Sequence, residues 1–142
     1  MESKTSLVVR YQETDQMGIV HHSVYPIWFE AARTDFIAKA GLHYRDMEQA
    51  GVWLPLKSLT CQFLHGAKYE DVVTVTTTVT NLTPARLEFS YRVENQDGVL
   101  LVTGTTLHGF TTPQLKPISL KKHFPQFWEV IESAAGMASR EV

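Results

Sequence analysis

The reactive side chains concentrate in one run, Asp15-Gln16-Met17-Gly18-Ile19-Val20-His21-His22-Ser23-Val24-Tyr25. A carboxylate such as Asp15 can serve as general base or nucleophile, and an imidazole such as His22 can orient water or move a proton near neutral pH. The run leads into a helix. From Val24 to Ala40, the residues Tyr25, Trp28, Phe29, Ala32, Phe36, Ile37 and Ala40 recur at helical spacing and form one wide apolar face. Ser23 is the expected N-cap, Pro26 falls in the first turn where its missing N–H costs little, and Gly41 ends the helix. The helix start near His22 and Ser23 presents unpaired backbone N–H groups whose dipole favours developing negative charge. Tyr25, Trp28 and Phe29 could line an apolar slot beside Asp15.

Each residue also has a plainer reading. An Asp in a loop is commonly a turn or capping residue. Asp15, His21 and His22 contain types that bind zinc, but adjacent histidines at a helix start diverge, and no third ligand stands at a recognisable spacing; no metal is expected. His43, His65, His108 and His123 are isolated and read as structural or solvated. Cys61 sits among apolar strand residues and reads as a small core hydrophobe. The Trp28 to Ile37 stripe can be core at one end and pocket wall at the other. Glu30 and Arg33, three apart, are an expected helix-face ion pair.

The elements that must position these groups follow from patterning. Thr5 to Tyr11 predicts a strand, and Gln12 to His22 a turn that lacks any sustained period. A short helix is expected over Tyr44 to Ala50. Beyond it, Trp53 to Leu64, Val72 to Thr80, Arg86 to Glu94 and Val99 to Thr111 are rich in Val, Thr, Leu, Phe and Tyr, which predicts four strands. Val73, Val75 and Val79 alternate with threonines, and Leu87, Phe89, Tyr91 and Val93 alternate with polar residues, as in half-buried antiparallel strands. Asn95 to Gly98 is a hairpin turn, and Asn81 to Ala85 a second turn. Phe124, Phe127, Trp128 and Ile131 predict a short C-terminal helix. The order is that of a single α+β domain spanning residues 1 to 142, a curved five-stranded antiparallel sheet wrapping one long central helix. Such a sheet has exposed edges, and pairing two chains edge to edge predicts a homodimer.

Composition narrows the function further. Thirteen basic and fifteen acidic residues leave a formal charge of -2 with no like-charged run, which argues against nucleic acid as a partner. One cysteine allows no internal disulfide, no apolar stretch reaches membrane-spanning length, and Met1 to Arg10 lacks a signal-peptide pattern. A cytoplasmic protein without membrane insertion is expected.

The run from Asp15 to Tyr25 resembles the signature of the 4-hydroxybenzoyl-CoA thioesterase family and its Tol-Pal-associated acyl-CoA thioesterase relatives: an acidic residue, Gly three on, Val five on, a His or Tyr pair, and Tyr ten on. Glu30, Ala32 and Arg33 extend the likeness into the helix, and Leu54 to Phe63 resembles the family's second strand. Where the Tol-Pal relatives commonly carry Tyr, this chain has His21. The resemblance implies the hot-dog fold and hydrolysis of acyl-CoA thioesters without metal or organic cofactor. It implies Asp15 as general base or nucleophile, the His22 backbone N–H as oxyanion donor, and the His22 imidazole as an aid to water or proton transfer. Gly18, Val20, His21, Tyr25, Trp28 and Phe29 would then border the substrate. The CoA phosphates need a cation, for which Arg86, just after the Pro84 turn, is the first candidate, ahead of Lys57 and Lys68. The family also implies a homodimer or a homotetramer with sites at the subunit interface. A non-catalytic module of the same fold that binds acyl-CoA or a lipid is the alternative; the Asp and His set of a hot-dog hydratase is not found at a convincing spacing.

Overall fold

The computed structural model describes residues 1–136. In chain order it contains β1 (Ser3–Val8), α1 (Tyr25–Ala40), α2 (Tyr44–Ala50), β2 (Leu56–Phe63), β3 (Val72–Thr83), β4 (Arg86–Glu94), β5 (Leu100–Gly109), α3 (Leu120–His123) and α4 (Pro125–Ala135). All strand pairs are antiparallel, in the spatial order β1-β3-β4-β5-β2, so the sheet is open with β1 and β2 at its edges. The long helix α1 packs on one face of this sheet, which is the α+β arrangement expected from the order of elements and the hot-dog fold that the resemblance implies.

The apolar face of α1 lies where its period places it: Tyr25, Trp28, Phe29, Ala32, Phe36 and Ile37 are buried. Its aromatic residues meet those of β4. Phe29 stacks on Tyr91 with centroids 4.2 Å apart and planes 5° apart, and Phe36 meets Phe89 edge to face at 5.5 Å. The contact needs Gly104 beneath it, because a β-carbon there would sit 2.5 Å from the Thr60 carbonyl oxygen and 2.7 Å from the Phe29 ring.

Several strand boundaries differ from the sequence expectations. The first strand runs from Ser3 to Val8 and stops before Tyr11, because Arg10 is drawn into a turn by Glu13, whose carboxylate accepts the Arg10 N–H at 2.7 Å. Tyr11 to Glu13 is a 3-10 turn instead. Strand β2 begins at Leu56 rather than Trp53, which forms an isolated bridge with Thr111. Strand β3 continues to Thr83, so the Asn81 to Ala85 turn shrinks to Pro84 and Ala85; a register shift between Val79 and Asn81 flips the alternation and turns Leu82 inward. Glu30 and Arg33 make no ion pair, the Arg33 charge acting instead on Tyr44, Tyr91 and His108. Cys61 is half-buried against the core, and burial raises its thiol pKa.

His108 is structural, with 1% of its surface exposed. Its Nδ1–H faces the Leu54 carbonyl at 3.2 Å, which can only accept, so the neutral ring takes the Thr106 hydroxyl hydrogen at Nε2 (2.9 Å), and Thr106 accepts from Tyr91 at 2.6 Å. Burial, then the Arg33 charge, lowers the His108 pKa to about 4. The unfolded chain takes up this proton near pH 6.5 and the folded chain only near 4, so stability is lost as pH falls across that window. The loss should reach about 3 kcal/mol and be complete below the folded value. In urea unfolding at pH 7 and pH 4, the acid-induced loss should be smaller by that amount in His108→Asn; equal losses in both proteins would refute the assignment.

Candidate active site

The Asp15 turn is a closed loop. Thr14 and Val20 bridge across its base, the Asp15 N–H donates to the Ile19 carbonyl at 2.9 Å, and the Gly18 N–H donates to the Asp15 carbonyl at 3.0 Å. Gly18 has φ of +79°, a left-handed conformation open to glycine at little cost. One carboxylate oxygen of the half-buried Asp15, Oδ1, accepts the Met17 N–H at 2.8 Å, and Oδ2 has no partner within the described residues.

Glu13 holds this loop onto the helix. It is 6% exposed; Oε1 accepts the Arg10 N–H at 2.7 Å, Oε2 accepts the Trp28 Nε1–H at 3.1 Å, and its backbone carbonyl accepts the His21 N–H at 2.9 Å. Its pairing with Arg10 is a local i,i+3 contact, but no spacing rule marks its bond to Trp28, fifteen residues away.

The chain enters α1 through a 3-10 turn, His22–Val24. The cap of that turn is His21 rather than Ser23: the His21 Nδ1 accepts the Ser23 N–H at 3.2 Å and lies 2.8 Å from the Ser23 hydroxyl. The His21 and His22 rings lie 4.1 Å apart. Among the described residues the His22 N–H meets no acceptor, so this donor at the start of the helical segment is unspent.

A cavity of about 270 Å³ opens at this point. Of the expected residues it gathers Asp15, Val20, His22 and Tyr25 on its wall. Tyr25 is buried, and that desolvation raises its hydroxyl pKa, so it stays a neutral wall residue that meets Phe63 edge on at 5.6 Å. The wall also includes Met17, Ile19, Phe63, Leu64, His65 and Gly66. The last four follow from tertiary structure alone, since they lie at the end of β2, and His65 is a wall residue rather than an isolated one.

Five expected residues are not on this wall. Gly18 shapes the turn, and His21 caps the helix start. Trp28 and Phe29 are core, 4% and 0% exposed, because their positions on α1 turn them toward Glu13 and Tyr91. Arg86 pairs with Gly109, seven residues along β5 from Val102, the partner of Phe63; at about 3.3 Å per residue that puts it roughly 20 Å from the cavity within one chain. A second cavity of about 230 Å³, lined by Glu30, Arg33, Tyr44 and Leu54 among others, lies between α1 and α2 and lacks the combination of carboxylate and free helix-start N–H. Among the described residues no three His, Cys, Asp or Glu side chains gather as a metal site, and no helix is long and apolar enough to cross a membrane.

Comparison with known proteins agrees with this architecture. Residues 9–127 match the family described as the thioesterase-like superfamily. The chain is 34% identical over 133 residues to "Putative acyl-CoA thioesterase YneP" of Bacillus subtilis (strain 168), covering 93% of this chain and 96% of that one. It superposes with a TM-score of 0.91 on the crystal structure of a DHNA-CoA thioesterase from Staphylococcus aureus, 33% identical and covering 99% of this chain and 95% of the other. A hypothetical protein from Thermus thermophilus gives 0.86 at 41% identity, with 94% and 98% covered. With the long helix, the five-stranded sheet and more than half of its length matched, this chain belongs to the thioesterase-like superfamily.

Proposed function

We propose that this protein is an acyl-CoA thioesterase in which Asp15 is the catalytic carboxylate. The observation that carries the reading is one cavity with an apolar wall lined by the half-buried Asp15 carboxylate and by His22, whose backbone N–H has no acceptor among the described residues. Those are the base or nucleophile, the oxyanion donor and the acyl slot that thioester hydrolysis requires. Asp15 takes a proton from water as the hydroxyl adds to the thioester carbonyl; the His22 N–H stabilises the oxyanion; the carbon–sulfur bond breaks and the proton passes to the departing CoA sulfur. In the nucleophilic variant an Asp15 oxygen adds first, CoA leaves as the thiolate, and water hydrolyses the resulting anhydride. The His22 imidazole stands on the same wall and can orient that water. The reaction uses no cofactor or metal in either route, and the unpaired Cys61 fits a reducing, cytoplasmic setting.

The test is release of free CoA thiol from a panel of short, medium-chain and aromatic acyl-CoA esters. Turnover of at least one supports the reading. Tight retention of acyl-CoA without thiol release would make the protein a binding module instead.

The working unit is a homodimer built on β2. Among the described residues no helix packs along this edge strand beyond the Tyr25–Phe63 contact at its end, and Leu56, Leu59 and Phe63 are 50%, 39% and 54% exposed, whereas β1, at the other edge, is tied to α1 by Thr5 to Asp35 and by Lys39 to the Lys4 carbonyl. Two-fold antiparallel pairing of β2 sets the start of one strand beside the end of the other, so the sheet end carrying Arg86 approaches the cavity from the second copy, where it can meet a CoA phosphate. Leu59 lies near the middle of β2, hence near the axis, where Leu59→Glu brings two like charges together. Sedimentation should show the wild type at twice the chain mass and the variant at the monomer mass; a monomeric wild type sinks the dimer.

A further inference from the structure

We propose that Gly66 is a positioning residue for Asp15, acting through Ile19. The idea rests on the reading of Asp15 as the catalytic carboxylate and assigns a role to a residue that touches no reacting atom.

The Asp15 turn is seated on the loop that follows β2. Inside the turn, the Ile19 carbonyl accepts the Asp15 N–H at 2.9 Å; one residue on, the Val20 N–H donates to the Ala67 carbonyl, also at 2.9 Å. Ile19 and Val20 thus join the catalytic turn to the 65–67 backbone, and Ile19 and Gly66 share the cavity wall. Contact between them is closer than any side chain allows. A β-carbon on Gly66 would lie 2.6 Å from Ile19 Cγ2, 2.9 Å from its Cβ and 3.2 Å from its Cδ1. Gly66 is not among the residues with positive φ, so its backbone does not call for glycine; the space that a side chain would fill does.

Carbon atoms in van der Waals contact stand about 3.5–4.0 Å apart, so a methyl group at Gly66 must push Ile19 away by about 1 Å. The Ile19 carbonyl holds the Asp15 N–H, and the displacement therefore passes to the turn that aims the carboxylate. A shift of about 1 Å at a reacting group can cost on the order of 100-fold in rate. Gly66 itself is exposed and outside the core, so the price falls on positioning rather than on folding.

The experiment compares wild type, Gly66→Ala, Ile19→Ala and the double variant, with kcat and KM for a turned-over acyl-CoA ester and with hydrogen exchange at the Asp15 amide. Gly66→Ala should lower kcat by about 10- to 100-fold with KM within about twofold, speed Asp15 amide exchange, and leave the melting temperature near that of the wild type. Ile19→Ala removes the 2.6 and 3.2 Å contacts but leaves its β-carbon 2.9 Å from the new one, so the double variant should recover part of the loss, its kcat lying above the product of the two single effects, with Asp15 exchange partly slowed again. Wild-type kcat in Gly66→Ala, a change confined to KM, or a double variant no better than the product of the singles overturns the proposal. If the wild type turns over no acyl-CoA, the thioesterase reading is what fails, and the Asp15 exchange rates alone then decide whether Gly66 sets the turn.

Discussion

Asp15→Asn should lower kcat for acyl-CoA hydrolysis by about 10²- to 10⁴-fold while leaving the fold and KM nearly unchanged. The amide keeps the shape of the carboxylate, and its oxygen can still accept the Met17 N–H that Oδ1 accepts at 2.8 Å, so the turn has no reason to move. What disappears is the capacity to take a proton from water or to add to the thioester carbon. In the proposed mechanism the His22 N–H still polarises the carbonyl in this variant, so residual turnover above the uncatalysed rate is expected. Steady-state thiol release together with a melting curve makes the measurement. A variant that hydrolyses at the wild-type rate removes Asp15 from the chemistry. A single turnover in isotopically labelled water tests the anhydride route: label entering the Asp15 side chain shows water attacking its carbonyl in the anhydride, whereas general-base attack places no label in Asp15.

The second large effect is on stability, at Glu13. Glu13→Ala leaves the Trp28 indole N–H, on a residue only 4% exposed, and the Arg10 N–H without their acceptors. Loss of hydrogen bonds to a charged group, with a buried donor left unpaired, should cost about 2–4 kcal/mol. For a chain of this size the melting temperature should drop by on the order of 10 °C. Activity should fall as well, since Glu13 fixes the segment between β1 and the Asp15 turn to the side of α1. Glu13→Gln keeps one acceptor oxygen and should lose roughly half as much stability. Urea unfolding of the three proteins is decisive: a loss below about 1 kcal/mol for the alanine variant would mean that water replaces Glu13 without penalty and that the clamp is not real.

These expectations divide according to what a linear chain can reveal. Period and turn chemistry are local, and they were enough to place a helix from Val24 to Ala40, one residue longer than α1, β4 between Arg86 and Glu94, and the α+β order of the elements. The grouping of Asp15, Val20, His22 and Tyr25 was legible for the same reason, because a tight turn running into a helix keeps residues within ten positions close in space. Tertiary structure decided the remainder. Trp28 and Phe29 carry the apolar character of a slot, but the rotation of α1 on the sheet, set by stacking of Phe29 on Tyr91 across 62 positions of sequence, commits them to the core. Phe63, His65 and Gly66 reach the cavity because β2 ends beside the Asp15 turn, and Glu13 reaches Trp28 because the chain doubles back before α1. Side-chain types and short spacings state which chemistry is available; which groups share one cavity depends on contacts between distant segments, and those form only when the sheet closes over the helix.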